Sequence, residues 1–87
     1  MERIYVKNSE GERKIYVKLE PIYHPYDKLS YEGTEIIAKG GRWRADTYEL
    51  TYRDLQRMYE EGFHTIEPEE FEGVVLALQD SENSEGY

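Results

Sequence analysis

The stretch TEIIAKGGRWRADTYEL, residues 34–50, decides the fold. At its centre Gly40-Gly41 forms a two-residue turn that tolerates positive φ at both positions, as tight hairpin turns require. Folding the flanks about that turn sets Ala38 opposite Trp43, Ile36 opposite Ala45 and Thr34 opposite Thr47. Those positions make one apolar face. The other face holds Glu35, Ile37, Lys39, Arg42, Arg44 and Asp46 and is mostly charged. A half-buried antiparallel ribbon needs this alternation. Trp43, the only tryptophan, falls on the apolar face.

Upstream, Ile4-Tyr5-Val6-Lys7 recurs as Ile15-Tyr16-Val17-Lys18 around a turn-forming segment, which predicts a second hairpin. Centring it on Glu10 and Gly11 sets Tyr5 against Tyr16, Val6 against Ile15 and Ile4 against Val17. Ile4, Val6, Ile15, Val17 and Leu19 then share one face and the tyrosines the other; a one-residue slip would mix them. This register also sets Lys7 opposite Lys14, a like-charge pair that only solvent makes tolerable. Pro21 should stop or edge the strand. Residues 22–33 have no sustained period and read as a loop carrying Tyr23, His24, Tyr26 and Tyr31. Tyrosine gives a large amphipathic contact area at low entropic cost, so Tyr23 and Tyr26 are candidate contact residues. The plainer reading is that such rings cover the end of the sheet.

After the central hairpin, Thr51 is a good helix N-cap and Asp54 stands at capping-box spacing. Leu50 and Leu55 form the two ends of a hydrophobic staple, and Tyr52, Leu55, Met58 and Tyr59 make one stripe. Gly62 suits a Schellman C′ position, with Phe63 folding back on Met58. Glu60 and Glu61 oppose the helix dipole there and have no packing reason to do so. Residues 68–79 fit two templates. Pro68 after Glu67, with Glu69 and Glu70 following, reads as a helix start, and Phe71, Val74, Val75 and Leu78 as a helical stripe. Gly73, and the alternation of Val74, Leu76 and Leu78, suit a fifth strand.

The expected architecture is α+β: an antiparallel sheet of about four strands, from two hairpins, packed by one or two C-terminal helices. Residues 1–79 make a single domain and residues 80–87 a disordered acidic tail. The expected core is Ile4, Val6, Ile15, Val17, Leu19, Ile36, Trp43, Leu55, Met58, Phe71, Val75 and Leu78.

Composition narrows the chemistry. The 87 residues contain no cysteine, so there is no disulfide framework, thiolate nucleophile or Cys-ligated zinc. No stretch approaches the roughly 18 apolar residues of a membrane span, and the N-terminus lacks a signal-peptide core. A cytoplasmic protein is expected. His24 and His64 lie far apart with no metal-ligand spacing, and Gly40-Gly41 lacks the context of a phosphate loop. Glu12-Arg13-Lys14 matches a bare nuclease fragment without an upstream acid. Adjacent glutamates on a helix point to different azimuths, and so small a core leaves little room for the desolvated cleft that acid–base work needs. The expectation is a protein that is not an enzyme and holds no metal or cofactor.

Charge is placed unevenly. The formal net charge is −8; residues 1–44 hold 9 Lys/Arg against 7 Asp/Glu, and residues 45–87 hold 2 against 12. An acidic half of this kind repels nucleic acid and favours basic partners, although it also serves solubility. Two surfaces follow. Asp54, Glu60, Glu61, Glu67, Glu69, Glu70 and Glu72 could imitate a run of phosphates against a basic groove, with Tyr23 and Tyr26 as further contacts. Lys39, Arg42 and Arg44, around the Gly-Gly tip, could instead contact nucleic-acid phosphates, unless Glu35 and Asp46 pair with them. In size, acidity, tyrosine content and lack of cysteine the chain resembles the small inhibitors that phages encode against host nucleic-acid enzymes, including anti-CRISPR and anti-restriction proteins. The resemblance implies a protein-binding inhibitor in the host cytoplasm whose partner is a basic nucleic-acid-binding protein. The alternatives are a nucleic-acid-binding module using the hairpin tip, and a structural subunit that associates with itself as a homodimer.

Overall fold

The computed structural model describes residues 2–23 and 29–81. It is an α+β fold: an antiparallel sheet of five strands, in the order β4-β3-β2-β1-β5, packed with two helices. The strands are β1 (Ile4–Glu10), β2 (Arg13–Tyr23), β3 (Leu29–Lys39), β4 (Arg42–Thr51) and β5 (His64–Thr65). The helices are α1 (Tyr52–Glu60) and α2 (Pro68–Ser81). The fifth strand, beyond the four expected, is two residues that pair Val6 with Thr65 and Lys7 with His64. Its brevity hides it from any periodicity test.

The central hairpin has the predicted register, with Ala38 opposite Trp43, Ile36 opposite Ala45 and Thr34 opposite Thr47. Gly40 and Gly41 have φ of 56° and 81°, so both turn residues are left-handed. The first hairpin is corrected. Its turn is Gly11-Glu12 and each residue's partner moves by two: Val6 faces Val17, Ile4 faces Leu19 and Lys7 faces Tyr16. A two-residue change preserves the faces, so the apolar set is unaltered. It removes the Lys7–Lys14 clash, sets Lys7 Nζ 5.3 Å from the Tyr16 ring centre and pairs Glu10 with Arg13 at 2.6 Å.

The loop expected over residues 22–33 is mostly strand. β2 runs on to Tyr23, and Pro21, Ile22 and Tyr23 pair with Tyr31, Ser30 and Leu29. Pro21 lies past the start of β1, whose first residue faces Leu19, so its missing N–H takes no bond from that ladder. Tyr31 becomes a core residue, 3 % exposed.

Both faces of the sheet are covered. On one, Leu55 of α1, with Met58 and Phe63, packs on Val6, Ile15, Val17, Leu19, Tyr31 and Ile37. On the other, Phe71 of α2, with Val74, Val75 and Leu78, packs on Tyr5, Tyr16 and Ile36. The face read as exposed tyrosine is thus a second core, and Ile37, read among charged residues, joins the first. Trp43, expected in the core, is only half-buried at the sheet's margin.

α1 is capped as predicted. Thr51 Oγ1 accepts from the Asp54 N–H at 3.2 Å, and Asp54 Oδ2 accepts from the Thr51 N–H at 3.0 Å. The Schellman bonds run from Phe63 N–H to the Met58 carbonyl (3.0 Å) and from Gly62 N–H to the Tyr59 carbonyl (3.2 Å). Residues 68–79 are helix, not strand. Leu76 is 62 % exposed while Val74 and Leu78 on either side are half-buried, which strand alternation cannot give and a helical phase does. α2 extends to Ser81, two residues beyond the boundary expected for the tail; residues 82–87 lie outside the described residues.

Candidate functional site

The two helices carry the acidic residues to one edge of the sheet. α1 leaves β4, crosses one face and ends at β5; α2 leaves β5 and crosses the other. Glu60 and Glu61 therefore close α1, and Glu67, Glu69, Glu70 and Glu72 open α2, on either side of the β5 edge. Neighbouring residues of β1 hold both helix ends. Asn8 Nδ2 donates to the Glu61 carbonyl at 3.4 Å, and Lys7 Nζ donates to Glu70 Oε2 at 3.2 Å. Ile66 N–H donates to the Tyr5 carbonyl at 2.8 Å between them. The hydrogen bond it donates to Glu70 is the main reason that the Lys7 ammonium titrates above its ordinary range.

Of the seven carboxylates named from the sequence, six gather here. Asp54 does not: it sits at the far end of α1, where Thr51 holds its carboxyl below the usual range, foremost through the backbone N–H. Glu70 is paired with Lys7. Glu60, Glu61, Glu67, Glu69 and Glu72 are exposed and make no ion pair among the described residues. Tyr23 is 69 % exposed at the end of β2 and does not join this edge; Tyr26 and His24 lie outside the described residues.

Next to Glu61, an open groove of about 520 Å³ runs along the α1 face, lined by Glu10, Arg13, Glu35, Tyr48 and Phe63 among others. Sequence reading singled out neither Tyr48 nor Arg13; their parity on the strands was the available signal. Tyr48 donates its phenol to Glu35 Oε2 at 3.0 Å. Burial, and then the neighbouring Glu35 carboxylate, push the phenol well above its ordinary pKa, so it stays protonated. His64 is exposed on β5. Among the described residues no group of three His, Cys, Asp or Glu could hold a metal ion, and no helix is long and apolar enough to cross a membrane.

The basic tip lies at the end of the sheet opposite Tyr23. Lys39 and Arg42 face each other across the turn, Arg44 faces Ile37, and all three occupy the α1 face. The acidic residues expected to pair with Lys39 and Arg42 bond elsewhere: Glu35 accepts from the Tyr48 phenol, and Asp46 Oδ1 from the Thr47 N–H at 2.9 Å. Lys39 and Arg42 make no ion pair among the described residues.

No protein-family model matches the chain, no curated protein matches it in sequence, and no solved structure matches it.

Proposed function

We propose that this chain is a small, non-enzymatic, acidic protein-binding module that sets the carboxylates around β5 against a basic, nucleic-acid-binding surface of a partner protein. It acts as an inhibitor of the kind that phages and mobile elements encode. One observation carries the reading: Glu60, Glu61, Glu67, Glu69 and Glu72 are exposed and make no ion pair among the described residues, on two helix ends that β1 pins in place. Carboxylates held on rigid elements are preorganised for bidentate contacts with arginine, and their field speeds association in a salt-dependent way. Glu60 and Glu61 oppose the α1 dipole, a local penalty that a partner's cations would offset.

The test compares the chain with E60K/E61K/E69K/E72K, which leaves the Lys7–Glu70 tie intact. Each is immobilised, exposed to nuclease-treated prokaryotic lysate and eluted with a salt gradient. The expected result is one nucleic-acid-binding protein, released by moderate salt or added DNA and absent from the reversed variant. A partner that both forms retain equally would sink the reading.

A second reading, a nucleic-acid-binding module, is favoured by Lys39, Arg42 and Arg44 sharing one face at the hairpin tip. It expects salt-dependent binding of labelled single-stranded DNA or RNA, lost in R42A/R44A. No change in anisotropy for the unmodified chain excludes it.

A further inference from the structure

Among the described residues β4 is a ten-residue edge strand with a neighbour, β3, on one side only. Native proteins usually protect an edge of this length, because its outward N–H and C=O groups are a template for another strand. The Thr47 N–H donates to its own Asp46 side chain. That amide therefore faces away from β3, and by strand alternation so do those of Trp43 and Ala45. Across the α1 face β4 reads Arg42, Arg44, Asp46, Tyr48; across the α2 face it reads Trp43, Ala45, Thr47, Glu49.

We infer that β4 pairs antiparallel with β4 of a second copy, with Ala45 on the two-fold axis, joining the two sheets into one of ten strands. A two-fold perpendicular to the sheet keeps each face continuous, so residues opposite each other must have the same parity. With Ala45 on the axis, Arg44 of each copy faces Asp46 of the other, twice; Arg42 faces Tyr48 and Trp43 faces Thr47. Sliding the pairing one step either way sets Arg44 against Arg44 or Asp46 against Asp46, which like-charge repulsion disfavours. Ala45 and the Trp43–Thr47 pairs take the hydrogen-bonded positions through their outward amides. The Arg44–Asp46 pairs take the non-hydrogen-bonded positions, where side chains approach most closely. Asp46 releases the Thr47 N–H to the partner's backbone and turns to the partner's arginine. On the α2 face the contact extends a small apolar pocket of about 220 Å³ between Trp43, Ala45, Ile36 and Leu78, at the margin of the sheet. Docking is through backbone ladders, as in strand addition generally.

This interface is independent of the acidic surface, because β5 lies at the opposite edge. The experiment is sedimentation equilibrium of the full chain in about 0.15 M salt, from about 1 µM to about 1 mM. The expected result is a reversible shift from the 10.4 kDa monomer to twice that mass. R44D or D46R alone should weaken dimerisation at least about tenfold, and R44D/D46R together should restore it to within about threefold. Circular dichroism checks that each variant folds. If a single variant does not fold, amide exchange in the unmodified chain replaces it: Trp43, Ala45 and Thr47 must gain protection as concentration rises. A monomer throughout, a dimer indifferent to both single reversals, or failure of the double reversal to rescue, overturns the inference.

Discussion

Tyr48 donates its phenolic hydrogen to Glu35 Oε2 at 3.0 Å, a diagonal contact across the β3–β4 ladder. Tyr48 itself stands opposite Gly33, and the missing side chain makes room for its ring: a Cβ there would lie 3.2 Å from Tyr48 Cε1. The bond also occupies Glu35, which faces Asp46 as a like-charge pair. One phenol thus takes up a carboxylate that the sequence offered to the basic tip and leaves Lys39 and Arg42 to solvent.

The half-buried phenol predicts an alkaline limit to stability. Its folded pKa is raised above the unfolded value of about 10, so its contribution is fully present below about pH 10 and lost as pH rises through the folded pKa. Denaturant midpoints measured from pH 8 upward should fall more steeply in the unmodified chain than in Tyr48→Phe.

The capping box predicts an acid limit of opposite sign. Asp54 has its folded pKa lowered by the Thr51 backbone N–H, so its contribution is present above about pH 4 and lost as pH falls through the folded value. The stability difference between the chain and Asp54→Asn should therefore close on acidification. Thr51→Ala should cost about 1 kcal/mol at neutral pH, read by chemical denaturation.

Gly73 lies inside α2, exposed, with nothing within 4 Å of where a Cβ would stand. Gly73→Ala should stabilise the chain by about 0.5–1 kcal/mol, because it lowers the entropy cost of helix without a clash. A lower thermal midpoint for this variant would contradict the helix.

Two cores on opposite faces predict additive losses. Phe71, whose ring centre lies 5.6 Å from that of Tyr5, holds α2; Leu55 holds α1. Phe71→Ala should cost about 3–5 kcal/mol and Leu55→Ala about 2–5 kcal/mol. Sharing no contact, they should each retain their cost within about 0.5 kcal/mol when the other residue is first replaced by a milder truncation, Leu55→Val or Phe71→Leu. Urea titration of the four single and the paired variants checks this.

What the sequence alone determined is local. Gly40-Gly41 sets the register of its hairpin because few backbones turn in two residues, and both must be left-handed. Thr51 and Asp54, with Gly62 and Phe63, set both ends of α1 because capping groups reach only their own turn. The acidic run at residues 60–72 was equally legible, and so was the opposition of Glu60 and Glu61 to the dipole. Tertiary structure decided the rest. The Gly11-Glu12 turn sets left-handed Gly11, φ 61°, at its first position, and the register that follows takes Lys7 off Lys14 and onto Tyr16, a cross-strand relation that no single strand displays. Residues 68–79 become helix because the tyrosine face of the sheet needs a cover, and only a helical phase brings Phe71, Val74, Val75 and Leu78 down on it together. The six carboxylates meet at β5 for a related reason. A short connection through a two-residue edge strand sends α1 and α2 to opposite faces, so the end of one helix and the start of the other share one rim.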